Sequence, residues 1–423
     1  MLKKLLLGGV LSGLPLFLFA QQTEQKHQPH QTPAQQMISG TGEDLLTSGN
    51  AGEARTVISG YGDLSYQRDF NFKTSTLNLN RAVLFVGHQF NNKIAFFSEL
   101  EVENAKVEGG KLQGEIGMEQ AYLKFSLNPR QYLVAGLFLP RIGLLNENHL
   151  PINFNGVERP LVEQLVIPAT WREIGIGFYG QMSTLPLAYS VAIMNGLKSA
   201  EFTHGNGLAD GRAEGQMASG NNLALNASLQ YFISDWKFQV SGYAGGTVGL
   251  SPLQADSLQL PSGMFGAPVY LGEADLQYMK SGFSAKALGT VVSYPDAGSI
   301  NKAYASNVPK TMYGAYAELG YNLFETAKSD RLKTQQLIVF ARYERLNLNA
   351  RIPANGITDG TEDQSHLIAG LSYLPIPNVV IKADARLMHT GPQNPALIIN
   401  PNPAAQPYQQ NNAFLNLGIG YSF

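Results

Sequence analysis

The sequence predicts an all-β fold, a transmembrane antiparallel β-barrel of about sixteen strands, and three observations carry that prediction. Apolar residues alternate with small or polar ones along most of the chain. Short turns alternate with long, Gly-, Asn- and Pro-rich connections. After residue 20 there is no apolar run of about eighteen residues, the length a membrane-spanning helix needs.

The alternation is cleanest near the C-terminus, where Leu415, Leu417, Ile419, Tyr421 and Phe423 share one face and Asn416, Gly418, Gly420 and Ser422 the other. The same period runs through Tyr313, Ala315, Ala317, Leu319, Tyr321 and Leu323 against Gly314, Glu318 and Asn322. Val379, Ile381, Ala383, Ala385 and Leu387 stand likewise against Lys382, Asp384 and Arg386. In a soluble sandwich the apolar face would be the core. In a membrane barrel the polarity inverts, with apolar residues facing lipid and polar ones the lumen. Alternation alone does not separate the two.

The connections do. Short turns are read at Asn91-Asn92, Asn128 to Arg130, Ser183 to Pro186, Ser234-Asp235, Lys280 to Gly282, Thr326 to Thr334 and Pro375 to Asn378. Between them lie long stretches at Asp69 to Thr76, Ala105 to Gly114, Pro140 to Thr170, Leu197 to Gly220, Ser251 to Gly266, Pro295 to Pro309, Ala350 to Asp363 and Gly391 to Gln410. Strict alternation of short and long is the habit of outer-membrane barrels, with the short turns on the periplasmic side. A final strand ending in Phe423 fits the terminal aromatic that the barrel assembly machinery is thought to read. Tyr132, Tyr231, Tyr278, Tyr321 and Tyr373, near strand ends, suit an interfacial girdle.

Residues 1–20 read as an export signal: Lys3 and Lys4, then an apolar stretch from Leu5 to Phe19, with Ala20 the last residue removed. Residues 21–54, rich in Gln, Pro, Ser, Thr and Gly, read as a flexible periplasmic leader, and 55–423 as the barrel. The expected location is the outer membrane of a Gram-negative-type bacterium, with outer-membrane lipid as a partner.

Composition excludes several functions. With no cysteine there is no disulfide framework, thiolate metal site or Cys nucleophile. With 30 basic and 32 acidic residues there is no electrostatic case for nucleic acid. The seven histidines show no close His-Glu-His spacing, and no cofactor is implied. Glycines such as those in 242–249 lack the strand-turn-helix setting of a phosphate loop.

The expected function is passive diffusion of small solutes through a water-filled lumen, without catalysis. The third long connection, expected to fold inward and narrow the pore, nominates Arg141, Glu147, His149, Glu158, Arg159, Glu163 and Arg172. The polar strand faces nominate Lys124, Lys286, Arg342, Lys382 and Arg386, with Arg81 less clearly placed. An equal reading pairs these cations with neighbouring carboxylates such as Glu318, Glu344 and Asp384.

Gly136-Leu-Phe-Leu-Pro140, Glu158-Arg159-Pro160-Leu161 and Pro168-Ala-Thr-Trp-Arg172 with Gly175 resemble the central signature of the phosphate-selective porin O and P family. Gly60 to Asp63 and Asn80-Arg81 extend the likeness more loosely. The resemblance implies a porin, often trimeric, passing anions such as phosphate along spaced basic residues. The alternatives are a barrel enzyme with a catalytic pair at its external rim and a plugged structural or adhesion barrel.

Overall fold

The computed structural model describes residues 29–39, 54–104, 114–327, 329–398 and 407–423. The export signal read at 1–20 lies outside the described residues, as does most of the 105–114 connection. The strands are β1 (Arg55–Asp69), β2 (Ser75–Gln89), β3 (Ile94–Glu103), β4 (Ile116–Asn128), β5 (Gln131–Phe138), β6 (Glu173–Gln181), β7 (Leu187–Asn195) and β8 (Leu223–Ile233). They continue as β9 (Trp236–Gly245), β10 (Val269–Lys280), β11 (Phe283–Ser293), β12 (Thr311–Asn322), β13 (Gln336–Arg351), β14 (Asp363–Ile376), β15 (Val379–Thr390) and β16 (Asn411–Ser422). Each pairs antiparallel with the next, and β16 returns to β1, so the sheet closes into a barrel without a free edge. Gly60 and Phe423 exchange both backbone hydrogen bonds at 2.9 Å, which seals the seam.

The strand ends put the connections where the turn chemistry places them, but short and long do not alternate strictly: the connection at 70–74 spans five residues and the turn at 323–335 spans thirteen. The polarity is inverted as a membrane requires: Leu417, Ile419 and Phe423 are exposed on the outside, while Asn416 and Ser422 are buried within. At the short-turn end Trp236 lies 4.6 Å from Tyr278, which lies 6.0 Å from Phe283, with Tyr231 and Tyr321 also exposed. That is an interfacial aromatic belt. Tyr132 is a correction to it. Its ring stacks on Tyr179 with centroids 5.0 Å apart beneath the Lys124 ammonium, and it lines the lumen.

Two further differences concern the lumen. The sequence reading expected a polar lumen, but buried apolar residues fill much of it. From the 139–172 connection, Ile142, Val162, Val166, Ile167 and Trp171 pack with Tyr243, Leu271, Leu288 and Tyr316 of the wall. Leu208, Val248, Leu260, Tyr294 and Ile300, from three other long connections, join them. The second difference lies within the 21–54 leader, where Pro33–Ser39 forms helix α1. Ala34, Met37 and Ile38 bury against Tyr61, Val83, Phe85 and Phe97 inside the short-turn end of the barrel. Its start is chemically marked: Pro33 opens it, and the Gln35 side-chain oxygen accepts from the Thr32 N–H at 3.0 Å, one half of a capping box.

Candidate functional site

The 139–172 connection crosses the lumen and is held by hydrogen bonds on nearly all sides. His149 reaches Glu99 of β3, Thr170 and Arg172 reach Glu119 of β4, and the Gln239 side chain of β9 donates to the Gly143 carbonyl at 2.9 Å. Lys286 of β11 donates to the Asn153 carbonyl, Asn155 donates to Glu318 of β12, and the Val162 N–H donates to Glu344 of β13. Lys382 of β15 donates to the Phe154 carbonyl at 2.8 Å while its ammonium sits 3.7 Å from the centre of the Phe154 ring. Backbone polar groups of a loop buried in a lumen need such partners, and the wall supplies them from side chains.

The nominated cations therefore hold the loop more than they line an open channel. Arg342 pairs with Glu318 at 3.1 Å and Glu344 at 2.8 Å, and donates to the Asn155 carbonyl. Arg386 pairs with Glu158, which also accepts from Gln67. Lys124 donates to the Ile38 carbonyl and holds the end of α1. Arg141 pairs with Glu147 at 2.7 Å.

Arg81, Arg159 and Arg172 differ. They line a cavity of about 600 Å³ at the long-loop end, between this connection and the wall of β1 to β4. Arg212, from the 196–222 connection, is the fourth guanidinium there. Seven carboxylates face them: Asp63, Glu101, Glu103, Glu115, Glu119, Glu158 and Glu214. Arg81 lies 3.0 Å from Asp63, and Arg172 lies 3.1 Å from Glu214. A smaller cavity of about 210 Å³ lies toward the short-turn end, bounded by α1, Lys124, Tyr132, Arg141 and Tyr179. Gln120 lines this lower cavity and Glu119 and His149 the upper one, so the contacts among Glu99, Glu119, Gln120 and His149 form the partition between them.

Two β-bulges set this geometry. On β2 the pairing slips between Asp63↔Arg81 and Leu64↔Leu79, so Asn80 and Arg81 both face the cavity. That is why strict alternation left Arg81 unplaced. On β4 it slips between Glu99↔Gln120 and Leu100↔Met118, so Glu119 and Gln120 are both turned inward and buried. The acidic stripe Glu99, Glu101, Glu103 and Glu119 was missed by the sequence reading, which nominated only basic residues on the strand faces. Its signal is the run Glu99-Leu-Glu101-Val-Glu103, with carboxylates on one face of a strand.

Glu163 anchors the loop to itself and to the wall. One oxygen accepts from the Leu144 and Leu145 N–H groups at 2.8 and 2.7 Å, the other from the Tyr316 hydroxyl at 2.6 Å. Burial pushes its carboxyl up to about 7, with Glu273 adding to the rise, against these three hydrogen bonds that favour the ionised form. A folded-state value above the unfolded one means that stability is full below the unfolded pKa and is lost as pH rises toward 7. Denaturation midpoints measured across that window are expected to fall with rising pH in the native chain and to stay flatter in Glu163→Gln. Equal slopes in the two would rule out Glu163 as the source.

These features define a membrane-spanning β-barrel whose lumen is narrowed by its own third long connection. The chain belongs to one family with an uncharacterized protein of Aquifex aeolicus (strain VF5), to which it is 31% identical over 339 residues, covering 77% of this chain and 74% of that protein. No family model matches the chain. Among solved structures, the outer membrane channel DcaP of Acinetobacter baumannii superposes with a TM-score of 0.52 at 12% identity, covering 88% of this chain and all of that one. The anion-selective porin from Comamonas acidovorans does so at 0.51 and 10%, again covering 88% of this chain and 100% of that one. The trimer form of OmpT of Vibrio cholerae gives 0.51 at 11% identity, with the same coverage. The fold is that of the outer-membrane β-barrels.

Proposed function

We propose that this chain is a diffusion channel of the outer membrane, without catalytic activity, that passes small hydrophilic solutes between the third connection and the wall of β1 to β4. The observation that supports this most is the charged cavity of about 600 Å³ left beside a connection otherwise packed into the lumen. In this reading solutes are sieved by the width of that passage and by the sign of its charge. Carboxylates outnumber guanidiniums there, so the passage favours cations. The finer reading, an anion such as phosphate, draws on the phosphate-porin resemblance and on Arg159. This guanidinium is buried, and its Nη2 has no hydrogen-bond partner. Burial and the nearby Arg81 weaken its hold on the proton, a cost an entering anion would relieve. A homotrimer belongs to the same reading, supported by the trimer form of one structural neighbour.

A plugged barrel is the second reading, favoured by α1 and by the partition between the two cavities. A rim enzyme has less support. His204 Nε2 does lie 2.9 Å from Asp359 at the long-loop end, but its other ring nitrogen is engaged by Asn307. Planar-bilayer recording under a KCl gradient decides between channel and plug. Stable conductance steps with a reversal potential of the sign for K⁺ over Cl⁻ are expected, and added phosphate reduces the current through Arg159. Silence across many insertions of folded protein would sink the channel and leave the plug. A Cl⁻-selective reversal would overturn the charge argument alone.

A further inference from the structure

We propose that Glu99, Glu119 and His149 form a binding site for one divalent transition-metal ion in the partition between the two luminal cavities. The three are almost fully buried, at 0%, 2% and 1% exposure, and one ligand atom from each lies within 4.8 Å of the others. His149 Nδ1 faces the Asn146 carbonyl at 3.0 Å. A carbonyl can only accept, so Nδ1 carries a hydrogen, and Nε2 faces Glu99 Oε1, 3.0 Å away, and Glu119 Oε2, 3.7 Å away, across a contact that a proton bridges until a bound cation takes it over. Three potential ligand atoms thus converge.

The opposite end of each ligand is held in place. Gln120 Nε2 donates to Glu99 Oε2 at 2.6 Å, and the Thr170 hydroxyl and Arg172 Nη1 donate to Glu119 Oε1. Outer partners that fix tautomer and carboxylate orientation are the usual support of a metal centre. Glu119 Oε2 is buried and takes no donor from a nitrogen or a hydroxyl; what it faces besides His149 is the carboxyl of the neighbouring Glu101. The β4 bulge adds an independent observation, because it is what turns ligand Glu119 and supporting Gln120 inward together.

Two carboxylates balance the charge of a divalent ion, and a mixed imidazole and carboxylate set suits Zn²⁺ or Mn²⁺. Since His149 sits on the third connection and both glutamates on the wall, the ion would pin that loop to β3 and β4. The ion reaches the site from the upper cavity, which Glu119 and His149 line. The inference stands on the lumen's geometry and does not depend on conduction.

The test is calorimetric titration of Zn²⁺, and separately Mn²⁺, into the folded, detergent-solubilised full chain after chelator treatment and desalting. One ion per chain is expected for at least one of the two metals. His149→Gln and Glu119→Gln each weaken binding by at least about ten-fold, and Gln120→Ala, which removes only an outer partner, by about ten-fold. His204→Gln, in the separate group of His204, Asp359 and Glu362 at the long-loop end, leaves it unchanged. Heat-modifiable migration on gels verifies that each variant is folded. If a variant fails to fold, the native chain decides together with Gln120→Ala. No uptake of either ion by the native barrel, or uptake undiminished in the folded luminal variants, would overturn the site and leave the cluster as an imidazolium held by two carboxylates.

Discussion

Replacing Arg342 by alanine is expected to lower the stability of the barrel by about 3 kcal/mol and to free the middle of the third connection from the wall. The guanidinium is 2% exposed, and two carboxylates, Glu318 at 4% and Glu344 at 0%, depend on it. Its Nη1 also holds the Asn155 carbonyl at 3.0 Å. The same carboxylates take up the loop directly, Glu318 from the Asn155 side chain and Glu344 from the Val162 N–H. Removing the cation leaves both charges buried and uncompensated, which costs far more than the pair contributes when intact.

Arg386→Ala is the contrast. Its partner Glu158 is 38% exposed, water can replace the lost cation, and the expected loss is below about 1 kcal/mol. Guanidinium unfolding followed by tryptophan fluorescence reads both, since Trp171 lies in the same connection. Limited proteolysis should cut residues 139–172 in Arg342→Ala and spare them in Arg386→Ala. If both variants unfold at one midpoint, the buried cluster is not what holds the loop. Combining Arg342→Met with Glu318→Gln and Glu344→Gln is expected to restore much of the loss, because no orphaned charge then remains.

The strands were legible because their signal is local. A residue facing lipid must be apolar and its neighbour facing the lumen need not be, so the period shows in every strand, and Asn, Gly and Pro mark the turns. What stayed hidden depends on contacts between distant residues. The bulges at Asn80-Arg81 and Glu119-Gln120 break the period at single positions, and only the register with a neighbouring strand reveals them. The pairing of Arg342 with Glu318 and Glu344 was open to the sequence, but the hold of Lys382 and Arg342 on the third connection was not, since the partner of each is a loop backbone group nearly two hundred or more residues away. Helix α1 lies between these cases. Thr32-Pro33-x-Gln35 is a recognisable start, but seven residues do not form a stable helix alone, and the barrel wall supplies the rest.

Detaching α1 from that wall is expected to open the short-turn end of the lumen and raise the conductance of each channel step. Three apolar side chains, hydrogen bonds of Ser59 to the Ala34 N–H at 3.2 Å and to the Thr32 hydroxyl at 2.9 Å, the Lys124 contact, and two hydrogen bonds between Asn153 and the His30 backbone hold it there. Met37→Asp withdraws about 2 kcal/mol of apolar burial and sets a carboxylate against Phe97 and Phe85, which is enough to release so short a segment. The reverse variant is equally direct. A Cβ built on Gly87 lies 3.5 Å from that of Ala34, inside the range a disulfide spans, and the native chain has no cysteine to interfere. The chain carrying Ala34→Cys and Gly87→Cys should oxidise to a tethered form whose conductance matches the native protein. Combined with Met37→Asp, the tether should hold conductance low until a reductant is added. A reductant-dependent rise would make α1 a removable constriction. If Met37→Asp conducts as the native chain does while the cysteines still form their bond, solutes pass beside the helix, and the narrowest point lies higher, at the partition of Glu99, Glu119 and His149.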